Sequence, residues 1–365
     1  MKEDLHVLFT IENSVGWITL NRPRALNALS YEMVLEMRNK LQEWKSNENV
    51  SLVCITGAGE KALCAGSDIR AIYNEKNSRG DASSLARAYF SAQYEMDYLI
   101  HNYPKPCIVI MDGIVMGGGV GIAIGCSHRL VTENTKWAMP ETNIGFFPDV
   151  GASYFLNKMP GHVGRYLALT AETVNAADAL YIGAADHYYS REALQKCVEA
   201  IRAQDWRIRS VEDTLENILR IYASKCPQIS TLEDNQNKID QHFGYEKIED
   251  IISSLTRASI EKCEWSREKL TILKQKSPTS LKVALEQNKR GRSLSLEECF
   301  QMEVELGVQF IRQHDFFEGV RAVLVDKDRN PKWSPNSLED VSLNMVDAYF
   351  PIPEQPITVN ENFIG

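Results

Sequence analysis

Apolar and polar positions along the 365 residues follow two rhythms, one of strands and one of helices. Residues 6–20, HVLFTIENSVGWITL, hold two apolar runs, VLFTI and WITL, on either side of ENSVG, which predicts two strands joined by a hairpin. Arg22-Pro23 interrupts the chain, and from Ser30 onward Met33, Val34, Met37, Leu41 and Trp44 recur at helical spacing, with Ser30 placed to cap the helix. SLVCITGAG is a continuous apolar run closed by glycines, as expected of a strand buried on both faces. The order then repeats: a helical pattern over 82–101, the run CIVIMDG, consecutive glycines, an apolar GIAIGCS and HRLVTEN. Strands alternating with helices predict an α/β fold with parallel strands, whose ligands sit beyond the carboxyl ends of the strands, where both glycine-rich stretches fall. Past about residue 160 the character changes: ADALYIGAADHYYS keeps some strand content, and 191–320 reads as almost wholly helical. This sets a boundary near 205, with an α/β core over 1–205 and a helical C-terminal region over 206–365.

A net charge of −9 argues against a nucleic-acid or anionic membrane surface, although a local basic patch for a phosphorylated ligand is compatible with it. No run approaches the 18 or so apolar residues of a membrane span. The N-terminal MKEDLHVLF has no basic region leading into an apolar run and is acidic for a transit peptide, which gives a cytoplasmic expectation. The eight cysteines form no C-x-x-C pair and read as reduced, mostly buried thiols. With no H-E-x-x-H either, no metal site is expected.

Three loops carry candidate chemistry. In ITGAGEKALCAGSDIR, 55–70, glycines at 57, 59 and 66 permit tight turns and close backbone approach to a ligand; equally, this is a strand-to-helix turn with Asp68 near a helix start. In DGIVMGGGVGIAIG, 112–125, three glycines open an apolar helix. Neither G-x-G-x-x-G nor a P-loop fits, so a nucleotide cradle is weakly supported. What remains is either bare N–H groups at a helix start, able to donate to an oxygen that becomes negative, or close helix packing on small residues. The third loop, WAMPETNIGFFPDVGASYFL, places Glu141 and Asp149 each directly after proline in apolar surroundings. Burial there would raise both carboxyl pKa values toward a general acid–base role, unless the acids simply cap turns.

Together these loops resemble the crotonase (enoyl-CoA hydratase/isomerase) superfamily, through NRPRALNALS, LCAGSDI, GIVMGGGVG and the Pro-Glu of AMPET. Within it, MPETNIGFFPDVGASYFL and the late HDFFEGVRAVLVDKDRNPKWSP are similar to the 3-hydroxyisobutyryl-CoA hydrolase group, over nearly the whole chain. The resemblance implies a core of ββα repeats with parallel sheets, followed by the helical region. It also implies an acyl-CoA substrate whose CoA is part of the substrate, so that no separate cofactor is expected. By motif, the thioester oxygen is held by the backbone N–H groups of Ser67 and Gly118, with Gly66, Asp68, Gly117 and Gln93 as further substrate contacts and Glu141 and Asp149 as the catalytic acids.

Hydratases of the superfamily carry a second glutamate after the glycines, where this chain has Gly121, and the hydrolase pattern has its aspartate where this chain has Asp149. The implied activity is therefore hydrolysis of 3-hydroxyisobutyryl-CoA or a similar short 3-hydroxyacyl-CoA, as in valine breakdown, and the alternative is an enoyl-CoA hydratase or isomerase. One departure stands at Gln93, where the hydrolase pattern has glutamate; glutamine hydrogen-bonds a hydroxyl but neither acts as a base nor carries charge. Arg22, Arg24 and Arg70 lie in or beside the ligand-facing loops and are candidates for the CoA phosphates, each equally readable as a surface residue. The superfamily's trimers imply a possible homo-oligomer, although the extra helical region could cover the surface they use.

Overall fold

The computed structural model describes residues 5–207 and 210–351. Two compact units each draw on three stretches of chain: Met1–Asp68, Met96–Ala138 and Thr173–Glu233 in the first, and Ile69–Glu95, Met139–Glu172 and Asp234–Gly365 in the second.

The first unit holds the sheets. Its strands are β1 (Val7–Glu12), β2 (Val15–Leu20), β3 (Leu52–Gly57), β4 (Ala62–Cys64), β5 (Cys107–Met111), β6 (Ile114–Met116), β7 (His128–Val131), β8 (Lys136–Ala138) and β9 (His187–Tyr188). The expected hairpin forms between β1 and β2, and Asn13 and Ser14 turn it with φ of 49° and 65°. Beyond it every pairing is parallel, in the order β1-β2-β3-β5-β7-β9, and a second sheet runs β4-β6-β8. Successive strand pairs thus deal one strand to each sheet, which is the ββα repeat. Strands β3 and β5 are apolar on both faces because both are covered. The helices Arg191–Ala203 and Val211–Tyr222 close one side of the larger sheet, packing Leu194, Cys197, Ile201, Leu215 and Leu219 against Trp17, Cys54, Ile108 and Leu130. Tyr31–Ser46 forms the predicted helix, with the Ser30 hydroxyl accepting from the Met33 N–H and all five periodic apolar residues buried.

The second unit is helical. Among its helices are Ile248–Ile260, Glu264–Lys274, Pro278–Gly291, Leu296–Ile311 and His314–Val320, as the helical pattern of that stretch predicts. A stack of rings, Phe90, Tyr94, Phe146, Phe147, Phe300, Phe310 and Phe316, with neighbouring centroids 4.4–5.9 Å apart, fills its centre. Among the described residues, no helix is long and apolar enough to cross a membrane.

Candidate active site

In the first unit the two glycine loops meet. Ala65 donates to the Leu26 carbonyl, Leu29 donates to the Gly66 carbonyl and Asp68 donates to the Leu29 carbonyl, which pins the CAGSD loop along residues 26–29. Gly66 has φ +112°, a conformation closed to residues with a side chain. A Cβ there would stand 3.3 Å from the Met116 carbonyl, 3.8 Å from the Gly118 nitrogen and 3.9 Å from the Gly117 Cα. Close packing and the donor arrangement, which the sequence leaves as alternatives, are therefore features of one place. Gly117 has φ 49° and donates to the Ala138 carbonyl, and the helix Gly118–Ile124 begins directly after it. As the first helical residue, Gly118 has no acceptor within the helix. At Gly119 a Cβ would lie 2.5 Å from the Cys64 carbonyl, so the glycine run also lets this helix settle on β4.

Of the predicted contacts nearby, Asp68 is occupied by Arg22, whose guanidinium lies 2.9 Å away and also donates to the Ala28 carbonyl. That pair consumes the Arg22 charge within the loop. Arg24 is exposed, and Arg70, in the second unit, donates to the Leu324 carbonyl.

In the second unit both predicted acids are buried, Glu141 at 7% exposure and Asp149 at 5%. Pro140 starts a short 3-10 turn, Glu141–Ile144, closed by Gly145 at φ +65°. Gly145 has no room for a side chain, since a Cβ would sit 2.6 Å from the Asp315 carbonyl; Gly319 similarly makes way for the Ile144 carbonyl. This wedges the turn onto the helix His314–Val320. The Oε2 of Glu141 is buried and accepts no hydrogen bond among the described residues. Burial, then the charges of Asp149 and Glu303, hold its pKa well above the ordinary carboxylate range. Asp149 is pushed up to about 7, chiefly by burial, against the opposing pull of the Tyr94 hydroxyl, which donates to its Oδ2 at 2.8 Å.

The apolar loop and its two acids are thus one arrangement: the rings supply the low-dielectric surroundings and the acids respond to them. Gln93, beside Tyr94 on the helix Ser83–His101, is fully buried.

A third acid escapes sequence reading. Glu303, on the helix Leu296–Ile311, is fully buried and accepts from the Gly151 N–H at 2.7 Å, the Ser153 N–H at 2.9 Å and the Ser153 hydroxyl at 2.6 Å. Burial pushes its pKa up to about 8 in spite of those donors. These bonds clamp the turn after Asp149, where Val150 has φ 55° and Gly151 φ 87°. A β-branched residue in that region costs on the order of 1–3 kcal/mol and persists only when its surroundings enforce it. The only sequence sign of Glu303 is an acid at a helix position that periodicity assigns to the core.

A profile described as enoyl-CoA hydratase/isomerase matches residues 15–350. A Dictyostelium discoideum protein named 3-hydroxyisobutyryl-CoA hydrolase, mitochondrial, is 39% identical over 94% of this chain and 91% of its own. A Neurospora crassa protein named small ribosomal subunit protein mS47 is 36% identical over 96% of this chain and 72% of its own. Among solved structures, a carnitinyl-CoA dehydratase from Mycobacterium thermoresistibile superposes with a TM-score of 0.89 at 38% identity, covering 99% of this chain and 100% of that one. The cytoplasmic expectation is corrected here. The Dictyostelium relative carries a mitochondrial name, which points to mitochondria. The charge of the first residues, on which that expectation rested, bears on a transit peptide alone and does not by itself assign a compartment.

Proposed function

Because the chain belongs to the enoyl-CoA hydratase/isomerase family, we propose that it hydrolyses the thioester of short 3-hydroxyacyl-CoA molecules, 3-hydroxyisobutyryl-CoA foremost. The observation that carries this reading is the pair of buried acids, Glu141 and Asp149, whose pKa values are both raised. The 39% identity to a protein named for that hydrolysis supports it. CoA enters as part of the substrate, and no separate cofactor is invoked.

Like charges held in one apolar site do not both ionise readily, so near neutral pH the pair carries a single proton. It resides on Glu141, because Asp149 alone has a hydroxyl donor for its charged form. Such a pair offers a base and an acid together. Asp149 takes a proton from water as the water oxygen attacks the thioester carbonyl. By family resemblance, the resulting oxyanion is assigned to the amides of Ser67 and Gly118, beside which Gly66 and Gly117 carry no side chain. When the C–S bond breaks, Glu141 gives its proton to the departing sulfur, and passage of the Asp149 proton to Glu141 restores the pair. Gln93 is assigned to the substrate hydroxyl. Asp68 contributes by holding Arg22, and through it the loop.

A protonated Glu141 is a poor nucleophile, which favours water attack over a mixed anhydride. After a single turnover in oxygen-18 water the label is expected in the product acid; label in Glu141 would establish the anhydride instead. The second reading, a hydratase or dehydratase, draws on the carnitinyl-CoA dehydratase neighbour. Addition of water across C=C requires proton handling at two carbons, for which the superfamily's second glutamate serves, and here that position is Gly121. Free thiol released from 3-hydroxyisobutyryl-CoA, with crotonyl-CoA absorbance unchanged, supports the hydrolase. Loss of enoyl absorbance without thiol release supports the rival.

The pH profile should report the pair. Asp149 must be ionised, so activity is lost as pH falls through about 7. Tyr94→Phe removes the donor that lowers this value, and the acid limb of kcat/KM is expected to move to higher pH by about one pH unit. An unmoved limb would show that another group sets it.

A further inference from the structure

Away from these acids, in the first unit, we propose a divalent-cation site of the zinc class formed by His128, Glu212 and Glu216. His128 opens β7, and Glu212 and Glu216 stand four residues apart on the helix Val211–Tyr222, so both carboxylates face the same ring. One ligand atom from each of the three lies within 4.8 Å of the others. The imidazole Nε2 is 3.1 Å from Glu216 Oε1 and 3.5 Å from Glu212 Oε1. Nitrogen and oxygen ligands about 2.0–2.1 Å from a tetrahedral zinc are about 3.3–3.4 Å apart, so these separations are already those of two tetrahedral edges.

The far side of the ring supplies an independent reason. The His128 side chain is only 3% exposed, while the two carboxylates are 59% and 50% exposed. Its Nδ1 lies 2.8 Å from the Ser127 hydroxyl oxygen. That hydroxyl donates to the Cys107 carbonyl and accepts from the Cys107 N–H. When the hydroxyl proton stays on the Cys107 carbonyl, the hydroxyl accepts from the ring and the imidazole proton sits on Nδ1. This is the arrangement that metal-bound histidines use to fix their tautomer. The Nε2 lone pair then faces two carboxylates, an arrangement that calls for a positive charge between them. A zinc ion supplies it, with water completing the fourth position on the exposed side. No local motif announces the site, because its ligands are 84 residues apart in sequence between His128 and Glu212 (212 − 128).

Calorimetric titration of the full-length chain with Zn²⁺, alongside the spectrum of Co²⁺ added in its place, tests this. One ion per chain should bind with micromolar affinity, Co²⁺ should give the intense visible bands of a tetrahedral site, and Mg²⁺ should not compete. Glu216→Gln, a half-exposed position that leaves the fold intact, should weaken Zn²⁺ by about 100-fold or more and abolish the Co²⁺ bands. Three outcomes would overturn the site: no binding below millimolar Zn²⁺, binding unchanged in Glu216→Gln, or an octahedral Co²⁺ spectrum. The first would mean that the Ser127 proton turns to Nδ1 and that Nε2–H donates to Glu216. The second would place the ion elsewhere, on thiols for instance.

Discussion

Glu141→Gln is expected to lower kcat for thioester hydrolysis by about 10³-fold, the midrange for losing a positioned general acid. The amide has the shape of the acid but no proton to give the departing sulfur. Since Glu141 Oε2 accepts no hydrogen bond among the described residues, the substitution breaks none there. It also removes a buried acid that is pushed up by Asp149 and Glu303, so thermal stability should hold or rise. Loss of activity with retained stability separates chemistry from folding. Asp149→Asn should cost a similar factor through loss of the base, and the double variant little more than either single one, because the two act as a unit. Thiol release measured under saturating substrate decides the matter: a Glu141→Gln enzyme within tenfold of the parent would remove Glu141 from the chemistry.

The second large effect is on stability and concerns Glu303. Glu303→Ala strands three donors in an apolar interior, the N–H groups of Gly151 and Ser153 and the Ser153 hydroxyl, and leaves a void. A loss of about 3–5 kcal/mol is expected, at the scale of leaving three buried donors unsatisfied. Denaturant unfolding measures it, and a loss under about 1 kcal/mol would mean that water satisfies the turn. The same acid gives stability a pH dependence of definite sign. Its value in the folded protein, about 8, lies above the ordinary 4.5, so the bound proton favours the fold fully below about 4.5, and that contribution is lost as pH rises through about 8. Glu303→Gln should flatten this part of the stability profile. Because the clamp also holds Val150 and Gly151 beside Asp149, both substitutions should depress kcat more than they raise KM.

Much of this was legible one residue at a time. The caps, the buried strands and the helical C-terminal stretch come from local periodicity, and the loop glycines announce unusual backbone because residues with side chains adopt it only at a cost. Arg22 and Asp68 show where such reading stops. Each alone is a plausible ligand contact, yet they satisfy one another, and opposite charges 46 residues apart in sequence give no sign of that (68 − 22). Glu303 is a starker case: Gly151 and Ser153, whose three donors it accepts, lie about 150 residues away along the chain.

The sequence by itself determined the strand and helix order, the two glycine loops and the presence of acids in an apolar stretch, since each depends on neighbours within a few residues. Only the tertiary structure decided what those acids are. It set the Tyr94 hydroxyl against Asp149, placed Glu303 under the next turn and packed the loop that carries both acids among aromatic rings. A carboxyl's proton affinity is fixed by the dielectric and the donors within a few ångströms, and in this protein segments distant along the chain supply both.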